Sequence, residues 1–194
     1  AMPLESLEQH VETLDGKPLG MRGYQLMNGM GIKAKGRIDG GQMDLIIEQM
    51  GQESRRTVPF PADAMLSEAA RQYAQKQGLE PGTAYQYKAY SILVLEPIRV
   101  QVRIGSQREV DLLGRVVRLT QAEMVEQVAG ASINTTAYVN EQFEPQKMVL
   151  NMMGMQIEMV ACPKQYALSE NDPVDFLERV FVQSPTDLTG IETA

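Results

Sequence analysis

From Ile98 to Ile104 the chain sets Ile98, Val100, Val102 and Ile104 in strict alternation with Arg99, Gln101 and Arg103. Only an extended strand sends all four apolar side chains to one face and the three polar ones to the other. The same rhythm recurs in Ile133-Asn-Thr-Thr-Ala-Tyr-Val139 and in Ile32-Lys-Ala-Lys-Gly-Arg-Ile38. The latter runs into Asp39-Gly40-Gly41 and then Met43-Asp-Leu-Ile-Ile47, which is hairpin chemistry. Asp15-Gly16 predicts a first hairpin between about 4–14 and 18–27, Gly105-Ser106 predicts another, and Leu113-Gly114 separates two further apolar runs. About ten strands follow from this count.

Helical spacing appears in two places. Ala64, Met65, Ala69, Ala70, Tyr73 and Ala74 mark an amphipathic helix over about 62–77, with Pro61 in front and Gly78 just past its end. Asp172 as N-cap and Pro173 at the first helical position predict a short C-terminal helix over about 172–182. Residues 184–194 carry no periodicity and read as a linker or disordered tail. The expected fold is therefore α+β and mainly β: one curved-sheet domain over residues 1–183, a strongly curved antiparallel sheet cradling the inserted helix. With 194 residues, 43% of them hydrophobic, a core of ordinary size is available without staples.

Charge narrows the partners. Acidic residues outnumber basic ones 25 to 18, for a net charge of −7, which opposes a nucleic-acid role. No run approaches a membrane span, and no basic-then-apolar leader opens the sequence.

Catalytic inventory is thin. The chain has one cysteine, Cys162, and one histidine, His10. Nucleophilic catalysis needs a base oriented by a third group, and a zinc site needs three or four nitrogen or sulfur ligands. Cys162, at a strand end before Pro163, reads as a small packed residue, and His10 as a solvated one on an edge-like strand between Glu8 and Glu12. The GxG of Gly29-Met30-Gly31 lacks a strand-turn-helix context, so it reads as a bend rather than a phosphate loop. No catalytic residue, metal ligand or cofactor is expected.

The most unusual stretch is NMMGMQIEM, residues 151–159. Met148, Leu150 and Met152 alternate, Gly154 interrupts, and Met155, Ile157 and Met159 alternate again, so the methionines share a face with leucine and isoleucine. Unbranched thioethers suit a core and equally an adaptable apolar surface, and these six residues are the candidate apolar binding face.

The segments FPADAMLSEAARQYAQKQGLEPGTAYQYKAY, PIRVQVRIGSQREVDLLGRVVRLTQAE, TTAYVNEQFEPQKMVLNMMGMQIEMVACPKQYAL and DPVDFLERVFVQSP follow in that order. Over about 15–185 this succession resembles the accessory region that precedes the catalytic core of bacterial transglutaminase-like proteins. The resemblance implies a Cys-His-Asp core in cis beyond this region, a non-catalytic role assisting substrate or partner binding, and a parent protein of the bacterial cell envelope, periplasmic or membrane-anchored. No catalytic role passes to Cys162. The hairpin near 135–159 also resembles the curved-sheet cradle of periplasmic lipoprotein carriers, which implies instead a free-standing carrier or sensor of a lipid or other apolar ligand.

Overall fold

The computed structural model describes residues 4–27, 30–128, 130–152 and 155–169. The order of elements is β1 (Leu4–Glu12), β2 (Pro18–Met27), β3 (Met30–Asp39), β4 (Gln42–Gln49), β5 (Gln52–Pro59), β6 (Ala64–Met65), α1 (Ser67–Gln77), β7 (Ala84–Ser91), β8 (Glu96–Leu112), β9 (Arg115–Val128), β10 (Ala131–Val139), β11 (Pro145–Met152), β12 (Met155–Val160) and α2 (Lys164–Ala167). The protein is mainly β. Among the described residues twelve strands form two sheets, β1-β2-β3-β4-β5 and β12-β11-β10-β9-β8-β7-β6, in place of a single sheet of about ten strands.

Local chemistry explains the hairpins. Gly40-Gly41, Met50-Gly51 and Leu113-Gly114 each have two consecutive positive φ angles, the two-residue turn whose twist matches the flanking strands. The ladder of the first sheet ends where Pro59 pairs with Gln42, and the Phe60 N–H donates to the Gly41 carbonyl at 2.9 Å just beyond it. The chain then crosses over, and β6 pairs with β7 in parallel, Met65 opposite Ala89. This pairing corrects the expected start of the helix. Ala64 and Met65 are committed to a strand and Leu66 is buried, so the helix begins at Ser67 rather than near 62.

Gly105-Ser106 is not a hairpin turn. β8 runs straight through it, and the register with β9 slips between Ile104 and Gln107, which is a β-bulge. The slip reverses the facing of β8. Val100, Val102 and Ile104 lie on the side that α1 covers, whereas Val110 and Leu112 pack on the opposite side with Leu119, Tyr138 and Val160. A sheet that buries opposite faces at its two ends has to curl. Met152 pairs directly with Met155, so the two alternating pieces of the methionine run face each other as antiparallel strands. The expected helix over 172–182 and the tail over 184–194 lie outside the described residues.

Between the sheets, Met21, Ile38, Met43 and Leu45 of the first pack against Phe60, Leu66, Tyr90 and Ile92. Ile92 is fully enclosed because Gly23 and Gly36 leave a hollow for it. A Cβ on Gly23 would stand 3.0 Å from the Ile92 Cγ2.

Candidate functional site

Helix α1 does not cap its own N-terminus. Leu66 stands at the N-cap and offers no side-chain acceptor, which leaves the first helical N–H groups to be satisfied from elsewhere. β1 supplies the partners. Glu8, His10 and Glu12 alternate along that strand and so point to one face, toward the helix. The Glu68 and Ala69 N–H groups donate to the two carboxylate oxygens of Glu12 at 2.7 and 3.0 Å. The Ser67 N–H donates to His10 Nδ1 at 3.3 Å, and the Ser67 hydroxyl lies 2.7 Å from the same nitrogen. Glu12 also places negative charge at the positive end of the helix dipole. Behind His10, Glu8 accepts from the Ile92 N–H at 2.8 Å and the Ser91 hydroxyl at 2.9 Å, with His10 Nε2 at 3.4 Å. Burial by itself raises the Glu8 carboxyl, but the donors His10, Ile92 and Ser91 outweigh it and hold it below the ordinary carboxylate range. His10 is thus a half-buried part of the junction between the two sheets, where the sequence suggested a solvated residue.

The helix seated by this clamp stands off the sheet. Tyr73 meets Tyr85 edge-on at 5.9 Å and Tyr87 at 6.4 Å between ring centroids, and acts as a prop. Beside the prop the facing side chains are small: Ala70 and Ala74 on the helix, Ala122 and Ala137 on the sheet. A bulky spacer next to four alanines leaves a pocket of about 360 Å³. Its floor adds Val102, Ile104, Met124, Val139 and Met148, and its far wall is Phe143, Glu144 and Pro145 of the β10–β11 loop. That loop is pinned by Asn140, whose Oδ1 accepts the Gln142 and Glu144 N–H groups at 3.0 and 2.9 Å. Gln75 of the helix donates to the Gln142 carbonyl at 3.3 Å and closes the wall onto the lid.

Two charged side chains, Arg71 and Glu144, stand among the lining residues. Arg71 donates to Glu68 through two nitrogens, and this pairing pulls the Glu68 carboxyl down to about 2. Burial pushes the Tyr85 and Tyr87 hydroxyls up, so both rings face the pocket as neutral phenols. Glu126 lies two residues beyond Met124 on the same face of β9, opposite Val100 and Ile133, and burial raises its carboxyl. An acid whose pKa rises on folding destabilises the fold when ionised and ceases to do so as pH falls through the raised value. Glu126→Gln is therefore expected to raise stability near neutral pH, with the gain shrinking in acid. Urea melts of both proteins across that range check it, and a gain independent of pH would refute it.

Of the six residues expected to form the apolar face, Met148 lines the pocket. Leu150 and Ile157 are half-buried further along the same face, and Met159, opposite Met148, is 46% exposed. Met152 and Met155 face each other as a backbone pair, and their side chains fall outside the described residues. The pocket is centred on β7 to β10 and the helix rather than on the methionine run, and alanines, which carry no periodic signal of their own in a strand, define it. Among the described residues no group of three or more His, Cys, Asp or Glu is placed to hold a metal ion, and no helix is long and apolar enough to cross a membrane.

No protein-family model matches the chain, and no curated protein sequence matches it. Among solved structures it is similar to a beta-barrel-like protein of a domain of unknown function, DUF1849, from Brucella abortus. The match has a TM-score of 0.57 at 9% identity and covers 80% of this chain and 70% of that one. At such identity the likeness concerns the fold, a barrel-like curl of strands that here remains open.

Proposed function

We propose that the chain is a non-catalytic binding module that seats one slender apolar group, such as an acyl chain, between α1 and the seven-stranded sheet. The observation that carries this reading is the pocket of about 360 Å³, floored by apolar side chains, with Ser67, Arg71 and Glu144 as its polar lining, and held open by Tyr73. Its size is at the small end of ligand pockets, which fits a single chain rather than a multi-chain lipid. The hydrogen-bonded series Ser67, His10, Glu8 beside it does not favour hydrolysis. The helix N–H groups nearest Ser67, which would have to meet a developing oxyanion, are taken by Glu12. The resemblance of the sequence to the region before a transglutaminase-like core supplies the setting: the module would bind substrate or partner for a cysteine hydrolase or acyltransferase in cis, in the bacterial cell envelope. A free-standing carrier or sensor would use the same pocket.

Filling the pocket tests the reading. Ala74→Leu projects three more carbons from the lid toward the floor. It is expected to raise stability by about 0.5–2 kcal/mol, as cavity-filling does, and to weaken binding of an apolar dye or a medium-chain fatty acid by about tenfold or more. Titration by fluorescence and calorimetry measures both. A filled variant that binds as wild type does would sink the proposal. Binding that is tight in the isolated chain, and unaltered when a core is fused to it, would favour the carrier over the accessory role.

A further inference from the structure

We propose that the apolar chain seated under α1 ends in a primary ammonium group, and that Glu126 is the side chain that receives it. The assignment rests on the α1 pocket being the seat of an apolar chain. Tyr87, Val100, Glu126 and Ile133 lie directly opposite one another as one row across the face that α1 covers. Tyr85, Val102, Met124, Thr135, Leu150 and Ile157 form the next row. Glu126 is the one charged side chain in the two rows. It is half-buried, and among the described residues neither a hydrogen bond nor an ion pair engages it, so burial acts on its carboxyl unopposed. An unpaired carboxylate in such an apolar setting weakens the fold. That cost is characteristic of a binding site, where stability gives way to function.

Glu126 belongs to the pocket through Tyr87. That tyrosine lines the cavity, and Glu126 adds to the upward shift that burial and Tyr85 impose on its hydroxyl, which puts the carboxyl within electrostatic reach of the pocket wall. Along β9, Glu126 stands four residues from Ala122 of the floor, about 13 Å in an extended strand, a span that a medium-length alkyl chain covers. The titratable side chains around it are the phenols of Tyr87, Tyr85 and Tyr73, none of them cationic. Lys88 and Arg99 are opposite each other at the alternate positions and so belong to the other face of the sheet. A carboxylate head finds no seat at the loop end either. Arg71, the one cation in the lining, has Nε and Nη2 committed to Glu68 at 2.9 and 2.6 Å and Nη1 turned to the Gln142 carbonyl at 3.5 Å, while Glu144 adds further negative charge. A fatty acid would bind there by its chain alone. An alcohol would satisfy a lone pair of Glu126 and leave its charge, whereas an ammonium cancels the charge and is favoured by the neighbouring tyrosine rings.

Calorimetric titration of the full chain with decylamine, decanol and decanoate, which share one tail, tests this below their micellar concentrations. Near neutral pH decylamine is expected to bind at least about tenfold more tightly than decanol or decanoate. Glu126→Gln should remove that advantage and leave decanol binding unchanged. Because this substitution is expected to stabilise the fold, lost affinity in it is not lost folding. Glu123→Gln removes one charge from the opposite face of the same strand, where Glu123 stands exposed across from Arg103 and Thr136. It should bind all three probes as wild type does, which separates the position of the acid from the net charge of the chain. Decylamine affinity should be full above the raised Glu126 value and decline as pH falls through it, because the protonated acid has no charge to pair, while decanol affinity stays constant. Failure of decanol and of an apolar dye to bind the wild-type chain would sink the pocket itself and this assignment with it. Decanol binding with no advantage for decylamine, an advantage that survives Glu126→Gln, or one lost equally in Glu123→Gln would overturn the assignment of Glu126 and leave the pocket standing.

Discussion

Gly16→Val is expected to unseat α1 and to lower stability by about 3–5 kcal/mol. Two independent demands meet at this residue. Its φ is +80°, a conformation that a β-branched side chain adopts only at a penalty of about 1–3 kcal/mol. Its backbone also touches the helix: a Cβ there would lie 3.0 Å from the Ala69 Cα and 3.1 Å from the Ala69 Cβ. Neither atom belongs to a flexible side chain that could swing aside, and overpacking of this kind adds about 1–3 kcal/mol. The β1–β2 turn and the helix are rigid partners, held further by Gln72, whose amide donates to the Leu14 carbonyl at 2.7 Å. Gly16→Ala should show the same defect at smaller size, because it keeps the contact and the φ but loses the branch. Urea and thermal melts measure the effect, and dye binding to the α1 pocket should weaken in parallel as the lid shifts. A Gly16→Val protein within about 1 kcal/mol of wild type would show that the turn and the helix move apart freely.

Much of this arrangement was legible in the sequence, because strands and turns are written locally. The alternation of Val100, Val102 and Ile104 with Arg99, Gln101 and Arg103 corresponds to buried and exposed faces in the folded chain, and Gly40-Gly41 and Leu113-Gly114 reverse it where their residue types require. What failed to show was non-local. β5, with its sequence QESRRTVP, is exposed on nearly every residue, so it has no apolar alternation to betray it, and only its pairing with β4 defines it. Gly105-Ser106 has the composition of a turn and serves as a bulge, because the facing residues of β9 continue past it. The division into two sheets depends on Ala64 and Met65 choosing β7 in parallel over an antiparallel continuation of the first sheet, a choice decided by packing around Phe60 and Leu66.

The candidate site was half legible for the same reason. Met148 was visible as part of an apolar face, but a pocket is a void, and a void is defined by what is small. Ala70, Ala74, Ala122 and Ala137 come from three separate elements and converge only after the sheet has curled. His10 and Glu12 illustrate the point from the polar side. Alternating with Glu8 on an edge strand, they look solvated in sequence, and their partners at Ser67, Glu68 and Ala69 lie 56 or 57 positions away. No local pattern links a strand carboxylate to the uncapped start of a distant helix.

Glu12→Ala is the second large effect expected, about 2–3 kcal/mol. The substitution removes two charge-assisted hydrogen bonds, each worth about 1.5–3 kcal/mol when well sheltered. Partial exposure lets water compensate for some of that, which brings the expectation toward the upper range of a lost N-cap, about 0.5–2 kcal/mol, with a contribution from the helix dipole. Glu12→Gln, which keeps one acceptor oxygen and no charge, should fall between alanine and wild type. The decisive measurement combines this substitution with Gly16→Val. If β1 and its turn seat the helix as one clamp, loosening the helix end by either route already forfeits part of what the other protects. The double variant should then be less destabilised than the sum of the singles, with a coupling of about 0.5–3 kcal/mol. Hydrogen exchange at the amides of Glu68, Ala69 and Ala70 should accelerate in each single variant and little further in the double. Effects that add within about 0.5 kcal/mol, the tolerance for independent sites, would mean that the cap and the turn hold different things, and that the lid of the pocket is not governed from the edge of the first sheet.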